Sequence, residues 1–322
     1  MRAVDKAAFP ATDTSFMTTT RKSRKKPDLA ADRHVLTIIG AGNMGQALVR
    51  GLVKAPAEGL HFDEILLFDT HPDKCNQILV ELTALGQSED PVQATLTALG
   101  SIEDLQHALP RTTVIALCTK PQDLVTVAEN CRGKIKRDTM LISVAAGVSL
   151  EQLASMFKHR GPIVRAMPNI AAKVGAAATG MAANRECNPA DMDVATKIFS
   201  AIGEALWIRE DLLNAVTGLS GSGPAYIFMV IEALTEGGVK MGLPRDVARL
   251  LSTQTVFGSA ALLKSTGQHP ATLREQVTTP GGTTISAIHE LEERGLRAML
   301  MSAVATATRR SAELESTAKT KN

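Results

Sequence analysis

Aromatic residues are scarce, at 3% of the 322-residue chain, and Trp207 and Tyr226 are each the sole example of their type. Single-stranded nucleic acid is held by stacking bases on aromatic platforms, so no such platform is expected. Neither sign of charge dominates, because 35 Lys and Arg face 33 Asp and Glu for a net charge of +2. Gripping a polyanion needs a broad positive field, and nucleic acid is not an expected partner. Long apolar runs are also missing: Val35–Ile39 and Ile227–Ile231 fall far below the ~20 residues of a bilayer-spanning helix. No membrane span is expected.

The four cysteines, Cys75, Cys118, Cys131 and Cys187, form no CxxC pair. That spacing fits reduced thiols in a cytoplasmic protein better than a disulfide framework or a zinc site. The seven histidines show no HExxH spacing, and no metal site is expected.

At 322 residues the chain has room for two domains, each with its own core. Residues 1–33 lack hydrophobic periodicity and carry the basic run Arg21-Lys22-Ser23-Arg24-Lys25-Lys26, which reads as a solvated, disordered tail. From residue 34 to 208, short β-branched runs alternate with amphipathic segments. Val35–Ile39, Ile65–Phe68, Val114–Cys118, Thr139–Val144 and Ile163–Arg165 read as strands of a parallel sheet covered on both faces. Gln87–Gly100 reads as irregular, with a helix starting at Ser101 through the box-like Ser101-Ile102-Glu103-Asp104. Residues 209–315 read as nearly pure helix. Pro224 opens one helix through Met241, Gly242 ends it, and Pro244 opens the next through about Lys264. Residues 316–322 read as a C-terminal tail. The late helices are apolar over much of their circumference, which predicts an obligate homodimer.

The first strand runs straight into Gly40-Ala41-Gly42-Asn43-Met44-Gly45, and a helix follows. Gly40 allows the tight turn, Gly42 lets the backbone approach a pyrophosphate, and Gly45 lets helix and strand pack closely. Helix N-terminal amides then face the phosphates of a dinucleotide. The second strand ends at Asp69, whose carboxylate can accept both ribose hydroxyls and repel a 2′-phosphate. That tilts the choice modestly toward NADH over NADPH. Thr70, His71 and Lys74 could instead serve a phosphate, and Asp69 could simply cap the next helix.

Val277-Thr278-Thr279-Pro280-Gly281-Gly282-Thr283-Thr284-Ile285 places two glycines between hydroxyl pairs at the start of a helix. Amides on the Gly281-Gly282 turn, joined by the Thr279, Thr283 and Thr284 hydroxyls, suit a small carboxylate. The alternative is an ordinary helix cap.

Six motifs in order resemble pyrroline-5-carboxylate reductases from about Val35 to Leu314. They are Ile39–Gly45, Lys120-Pro121-Gln122, Ala145–Val148, Arg165–Asn169, Gly218–Tyr226 and the His269-Pro270 to Thr284 region. The resemblance implies a Rossmann-type dinucleotide-binding domain followed by an all-α dimerisation domain, with an active site completed across the dimer. It implies reduction of a cyclic imine to proline with NADPH or NADH, in a homodimer or an oligomer of dimers. Ile39 to Met44, His71, Thr119, Lys120 and Ala146 would lie at the cofactor. Glu210, Thr283 and Thr284 would hold the substrate, with the Thr284 hydroxyl beside the ring nitrogen as the catalytic contact. Lys120 could equally be a solvated surface group, and Glu210 could simply favour a helix N-terminus. Two departures stand out: Ser101 occupies a place where relatives often carry asparagine, and Asp69 one where many carry a smaller uncharged residue.

Two rival functions fit the same cofactor domain. A β-hydroxyacid dehydrogenase would need a lysine or histidine as general acid–base, and none stands in the Thr279–Thr284 loop. A non-catalytic dinucleotide-binding scaffold would have no use for a substrate clamp.

Overall fold

The computed structural model describes residues 34–54, 58–85 and 94–320. The basic tail at 1–33, residues 87–93 of the segment read as irregular, and the last two residues of the C-terminal tail lie outside them.

Five strands fall where the apolar runs predict them: β1 (Val35–Ile39), β2 (Glu64–Phe68), β4 (Val114–Leu117), β5 (Met140–Ser143) and β6 (Ile163–Met167). Three more lack that signature: β3 (Thr95–Leu99), β7 (Ala177–Ala183) and β8 (Gly203–Trp207); β3 corrects the irregular reading of Gln87–Gly100, because Thr95–Leu99 pairs in parallel with β2 at the sheet edge. All eight form one sheet in the order β3-β2-β1-β4-β5-β6-β7-β8. The expectation of a parallel sheet holds except at one pair, since β7 runs antiparallel to β6. The link between them is a short 3-10 turn, Ile170–Val174, rather than a helix. Without a helical crossover the chain returns in the opposite direction.

Helices α1 (Asn43–Lys54), α2 (Pro72–Leu85) and α6 (Pro189–Ser200) cover one face, and α3 (Ile102–Ala108), α4 (Leu124–Cys131) and α5 (Leu150–Phe157) the other. Alternation along the strands divides the apolar residues between two cores. Leu36 and Ile38 share one core with Leu48, Ile78 and Phe199, while Val35 and Ile39 share the other with Leu105, Leu124 and Leu153. Each such buried Leu or Ile contributes about 1.5–3 kcal/mol, so the C-terminal strand ends sit on a rigid base. Ser101 caps α3, its side chain accepting from the Asp104 amide at 3.1 Å.

After β8 the chain is helical: α7 (Leu213–Val216), a π-helical turn at Thr217–Gly221, α8 (Gly223–Lys240), α9 (Arg245–Thr266), α10 (Pro270–Gln276), α11 (Thr283–Glu293) and α12 (Leu296–Thr320). Pro224 lies in the first turn of α8, Pro244 precedes α9, and α12 continues past 315 to Thr320. α12 crosses the π-helical turn so closely that a Cβ on Gly218 would lie 2.3 Å from Thr308 Oγ1. α8, α9 and α12 leave many large apolar side chains open, including Phe228, Met229, Leu250, Phe257 and Met301. Exposed apolar surface on this scale marks an association face. Among the described residues no helix is long and apolar enough to cross a membrane.

Candidate active site

β1 lies between β2 and β4, where the strand order reverses. A crevice opens at such a switch point beyond the carboxyl ends of the strands. Gly40 sits there, its amide donating to Phe68 O at 2.7 Å while the Cys118 amide donates to Ile39 O at 2.7 Å. Its φ of +106° favours glycine, and a Cβ would meet the Cys118 carbonyl at 2.7 Å. On Gly45 a Cβ would lie 2.0 Å from Gly40 O, so α1 rests directly on the turn. A Cβ on Gly42, by contrast, would meet nothing within 4 Å, which leaves that backbone open to a ligand. Ile39 and Ala41 are buried beneath the loop, Met44 is half-buried and Asn43 is exposed. The first amides of α1 have no acceptor within their own helix.

Asp69 follows β2 and reaches the same loop. Its Oδ2 accepts the Ala41 amide at 2.9 Å, and its Oδ1 accepts the His71 amide at 2.9 Å. Lys74 Nζ lies 3.3 Å from Oδ1, as does His71 Nδ1. Burial pushes the Asp69 carboxyl up, but the His71 and Ala41 amides and Lys74 outweigh it and hold it below the usual carboxylate range. Asp69 therefore braces the glycine loop as an anion, a task that its reading as a ribose ligand did not include. His71 is exposed, and its ring contacts the Thr70 hydroxyl at 3.2 Å.

Across the crevice, β4 leads into Cys118-Thr119-Lys120. Thr119 Oγ1 is buried with no hydrogen-bond partner, an orphaned group that a bound ligand would satisfy. Lys120 is exposed and precedes the 3-10 turn Pro121–Asp123. Ala146 is exposed on the loop after β5, beside Gly147 at φ +72°. An open glycine backbone, free helix amides and the orphaned Thr119 hydroxyl together fit a dinucleotide.

The cysteines are Cys75, Cys118, Cys131 and Cys187. All four are free thiols, and burial raises Cys118 and Cys131 to about 12 and Cys75 and Cys187 to about 11. They are protonated and unreactive near neutral pH.

Glu210 opens a 3-10 turn after β8, beside this loop cluster. Its Oε1 accepts the Leu150 amide at 2.7 Å and faces Arg165 NH1 at 3.4 Å. Arg165, whose side chain is only 4% exposed, also reaches Glu315 Oε2 near the end of α12 at 3.3 Å. Asn214 Nδ2 donates to the same Glu315 oxygen at 3.0 Å, and the Ser311 hydroxyl contacts Asn214 Oδ1 at 2.7 Å. Sequence reading passed over this cluster, although an arginine within the apolar strand Ile163–Met167 signals a buried charge that must find acids.

The Thr279–Thr284 loop lies at the N-terminus of α11, with Gly281 at φ +68°. Thr279, Gly281 and Thr283 are exposed, and Gly282 and Thr284 are half-buried. Its backbone bonds are local: Thr278 N to Glu275 O at 3.0 Å, Gly282 N to Thr279 O at 3.0 Å and Ser286 N to Gly282 O at 3.4 Å. Among the described residues, no hydrogen bond ties this loop to the strand ends of its own chain. The structure thus brings Gly40 to Gly45, Asp69, Thr119, Lys120 and Ala146 to one crevice and does not join Thr279 to Thr284 to it within a single chain.

Fold and crevice define a nicotinamide-dinucleotide-dependent oxidoreductase. Residues 35–147 match the family described as NADP oxidoreductase coenzyme F420-dependent, and residues 210–314 match pyrroline-5-carboxylate reductase dimerisation. The chain is 41% identical over 281 residues to a pyrroline-5-carboxylate reductase of Methanosarcina acetivorans, covering 86% of this chain and 96% of that protein. It belongs to the pyrroline-5-carboxylate reductase family. Its fold superposes on a pyrroline-5-carboxylate reductase from Coxiella burnetii with a TM-score of 0.76 at 33% identity, covering 87% of this chain and 97% of the other. A Plasmodium falciparum pyrroline carboxylate reductase with NADP bound gives 0.71 at 26% identity, covering 88% and 99%.

Proposed function

We propose that this protein reduces the ring imine of 1-pyrroline-5-carboxylate to L-proline, the last step of proline biosynthesis, using NADPH or NADH. The observation that carries the reading is the Pro280–Thr284 turn, kept intact and open at the head of α11 in a chain with a complete dinucleotide crevice. When bound, the dihydronicotinamide supplies the hydride. Ile39 to Gly45 hold the pyrophosphate, Asp69 and His71 lie at the adenosine ribose, and Thr119, Lys120 and Ala146 lie toward the reacting end.

The Gly281-Gly282 turn and the Thr283 amide hold the substrate carboxylate, with the Thr279 hydroxyl beside them. Thr284 hydrogen-bonds the ring nitrogen and sets the face of attack. A threonine hydroxyl is a poor acid, so Thr284 orients and polarises. The C=N carbon gains the hydride, and the nitrogen carries a proton taken up from solvent before reduction, so that the C=N double bond becomes a C–N single bond. Glu210 contacts the substrate from the β8 side.

The loop of one protomer completes the crevice of its partner, which accounts for its separation from the strand ends of its own chain. Residues 34–208 form the dinucleotide-binding domain and 209–315 the helical domain that dimerises, with α12 running on to Thr320. The assembly is a homodimer or a higher oligomer of such dimers, and the cytoplasm is the compartment that suits four reduced thiols.

Steady-state oxidation of NADPH and NADH in turn, with pyrroline-5-carboxylate as substrate and proline as the product assayed, tests the assignment. Robust turnover with this imine and not with short hydroxy acids is expected; the reverse preference would overturn it. In the same assay Asp69→Ser should improve NADPH use relative to NADH by about tenfold, the worth of one charged interaction near a phosphate. An unchanged ratio would mean that Asp69 only braces the glycine loop.

A further inference from the structure

Near the end of α12, Glu315 is far from the dinucleotide loop in sequence, yet it is wired to the site. Arg165 stands between Glu315 and Glu210, at 3.3 Å from the first and 3.4 Å from the second. The arginine side chain is 4% exposed and Glu315 is 15% exposed, so the Arg165–Glu315 contact is shielded from solvent and only weakly screened. Asn214 Nδ2 holds the same Glu315 oxygen at 3.0 Å, and Ser311 holds Asn214. Glu315 thus has its rotamer fixed from two sides. Directly beside it, a Cβ on Gly147 would meet Glu315 N at 3.6 Å and Leu314 Cβ at 3.7 Å. The last turns of α12 therefore rest on the loop that carries Ala146.

We propose that Glu315 is a positioning residue for substrate binding: through Arg165 it fixes the Glu210 carboxylate, and with Leu314 it backs the Ala146–Gly147 loop. Of the two Glu210 oxygens, Oε1 is committed to Arg165 and the Leu150 amide. That commitment sets the direction in which the other oxygen faces. With Glu315 removed, Arg165 loses one of its two acids and swings toward Glu210, which then turns away from its bound orientation. The inference rests on the assignment of Glu210 to the substrate.

The test is a double-mutant cycle with Glu315→Ala and Glu210→Gln on the full chain. Glu315→Ala is expected to raise the KM for pyrroline-5-carboxylate by about tenfold and to weaken L-proline binding, read by calorimetry, by a similar factor. Its kcat and its NADPH affinity should stay within about twofold of wild type. Glu315→Gln, which keeps an oxygen for Arg165 and Asn214, should recover most of the lost affinity. The double variant should bind proline no more weakly than Glu210→Gln alone, because both changes act on one contact.

A role confined to stability would instead lower the melting temperature and the active fraction, reducing kcat and leaving KM unchanged; that result, or full additivity in the cycle, would overturn the proposal. If Glu210→Gln itself leaves KM and proline affinity unchanged, the substrate role of Glu210 fails first. If Glu210→Gln weakens binding and Glu315→Ala does not, the positioning role alone fails.

Discussion

Gly45→Ala is expected to abolish dinucleotide binding at ordinary cofactor concentrations. The added Cβ would stand 2.0 Å from Gly40 O and 3.3 Å from the Ile38 side chain. The first of these is backbone, so relief requires α1 to lift away from β1. Moving the helix by about 1 Å removes its amides from the phosphates, and displacement of that size costs about a hundredfold in a positioned interaction. Overpacking adds about 1–3 kcal/mol of destabilisation. Fluorescence titration with NADPH would register the first effect and thermal melting the second. Gly42→Ala is the informative control. With nothing within 4 Å of its Cβ, it should melt like wild type and still bind the dinucleotide weakly, since only the approach of the ligand is obstructed. Equal melting and equal affinity in all three proteins would refute the packing argument.

Arg165→Met carries the largest expected loss of stability. Removing one partner of a buried charged cluster leaves its acids unpaired, at about 3–5 kcal/mol. Glu210 is 34% exposed and regains some hydration, whereas Glu315 is 15% exposed and does not. The lower end of the range applies, and the melting temperature should fall by about 5 °C. Circular dichroism would follow it. A shift of less than about 2 °C would show that the cluster carries little net stability, as balanced buried ion pairs sometimes do.

The half of the fold built on β-branched runs could be read from the sequence, because a strand buried on both faces needs apolar residues at every position. β1, β2, β4, β5 and β6 come close to that composition, with Thr37, Glu64, Ser143 and Arg165 as their buried polar exceptions. β7 could not be read so: Ala177–Ala183 is small and glycine-bearing, and α7 passes so close that a Cβ on Gly180 would lie 3.0 Å from the Val216 side chain. β8 lies at the edge with two of its five residues exposed and none buried, so its pattern resembles a loop. Its antiparallel neighbour pair, β6 and β7, follows from the length of the connecting turn, which composition does not encode.

The site divides in the same way. Gly40 to Gly45 and Thr279 to Thr284 were legible since each is a contiguous segment whose residue types dictate its backbone. Asp69 was legible as a carboxylate at the right strand end, but its bond to the Ala41 amide required coordinates. Arg165, Asn214 and Glu315 were illegible because 150 residues separate the arginine from its partner on α12, and only the packing of α12 across the sheet ends brings them together.

Subunit complementation addresses the shared site most directly. One protomer would carry Gly45→Ala, and the other Gly281→Val, which cannot keep the φ of +68° that the turn requires. Each homodimer should be nearly inactive. If the loop of one protomer serves the crevice of its partner, the mixed dimer holds one intact site of two and regains about half of the wild-type activity, as two-fold symmetry dictates. A mixed dimer as inactive as its parents would show that loop and crevice belong to the same chain and would contradict the account.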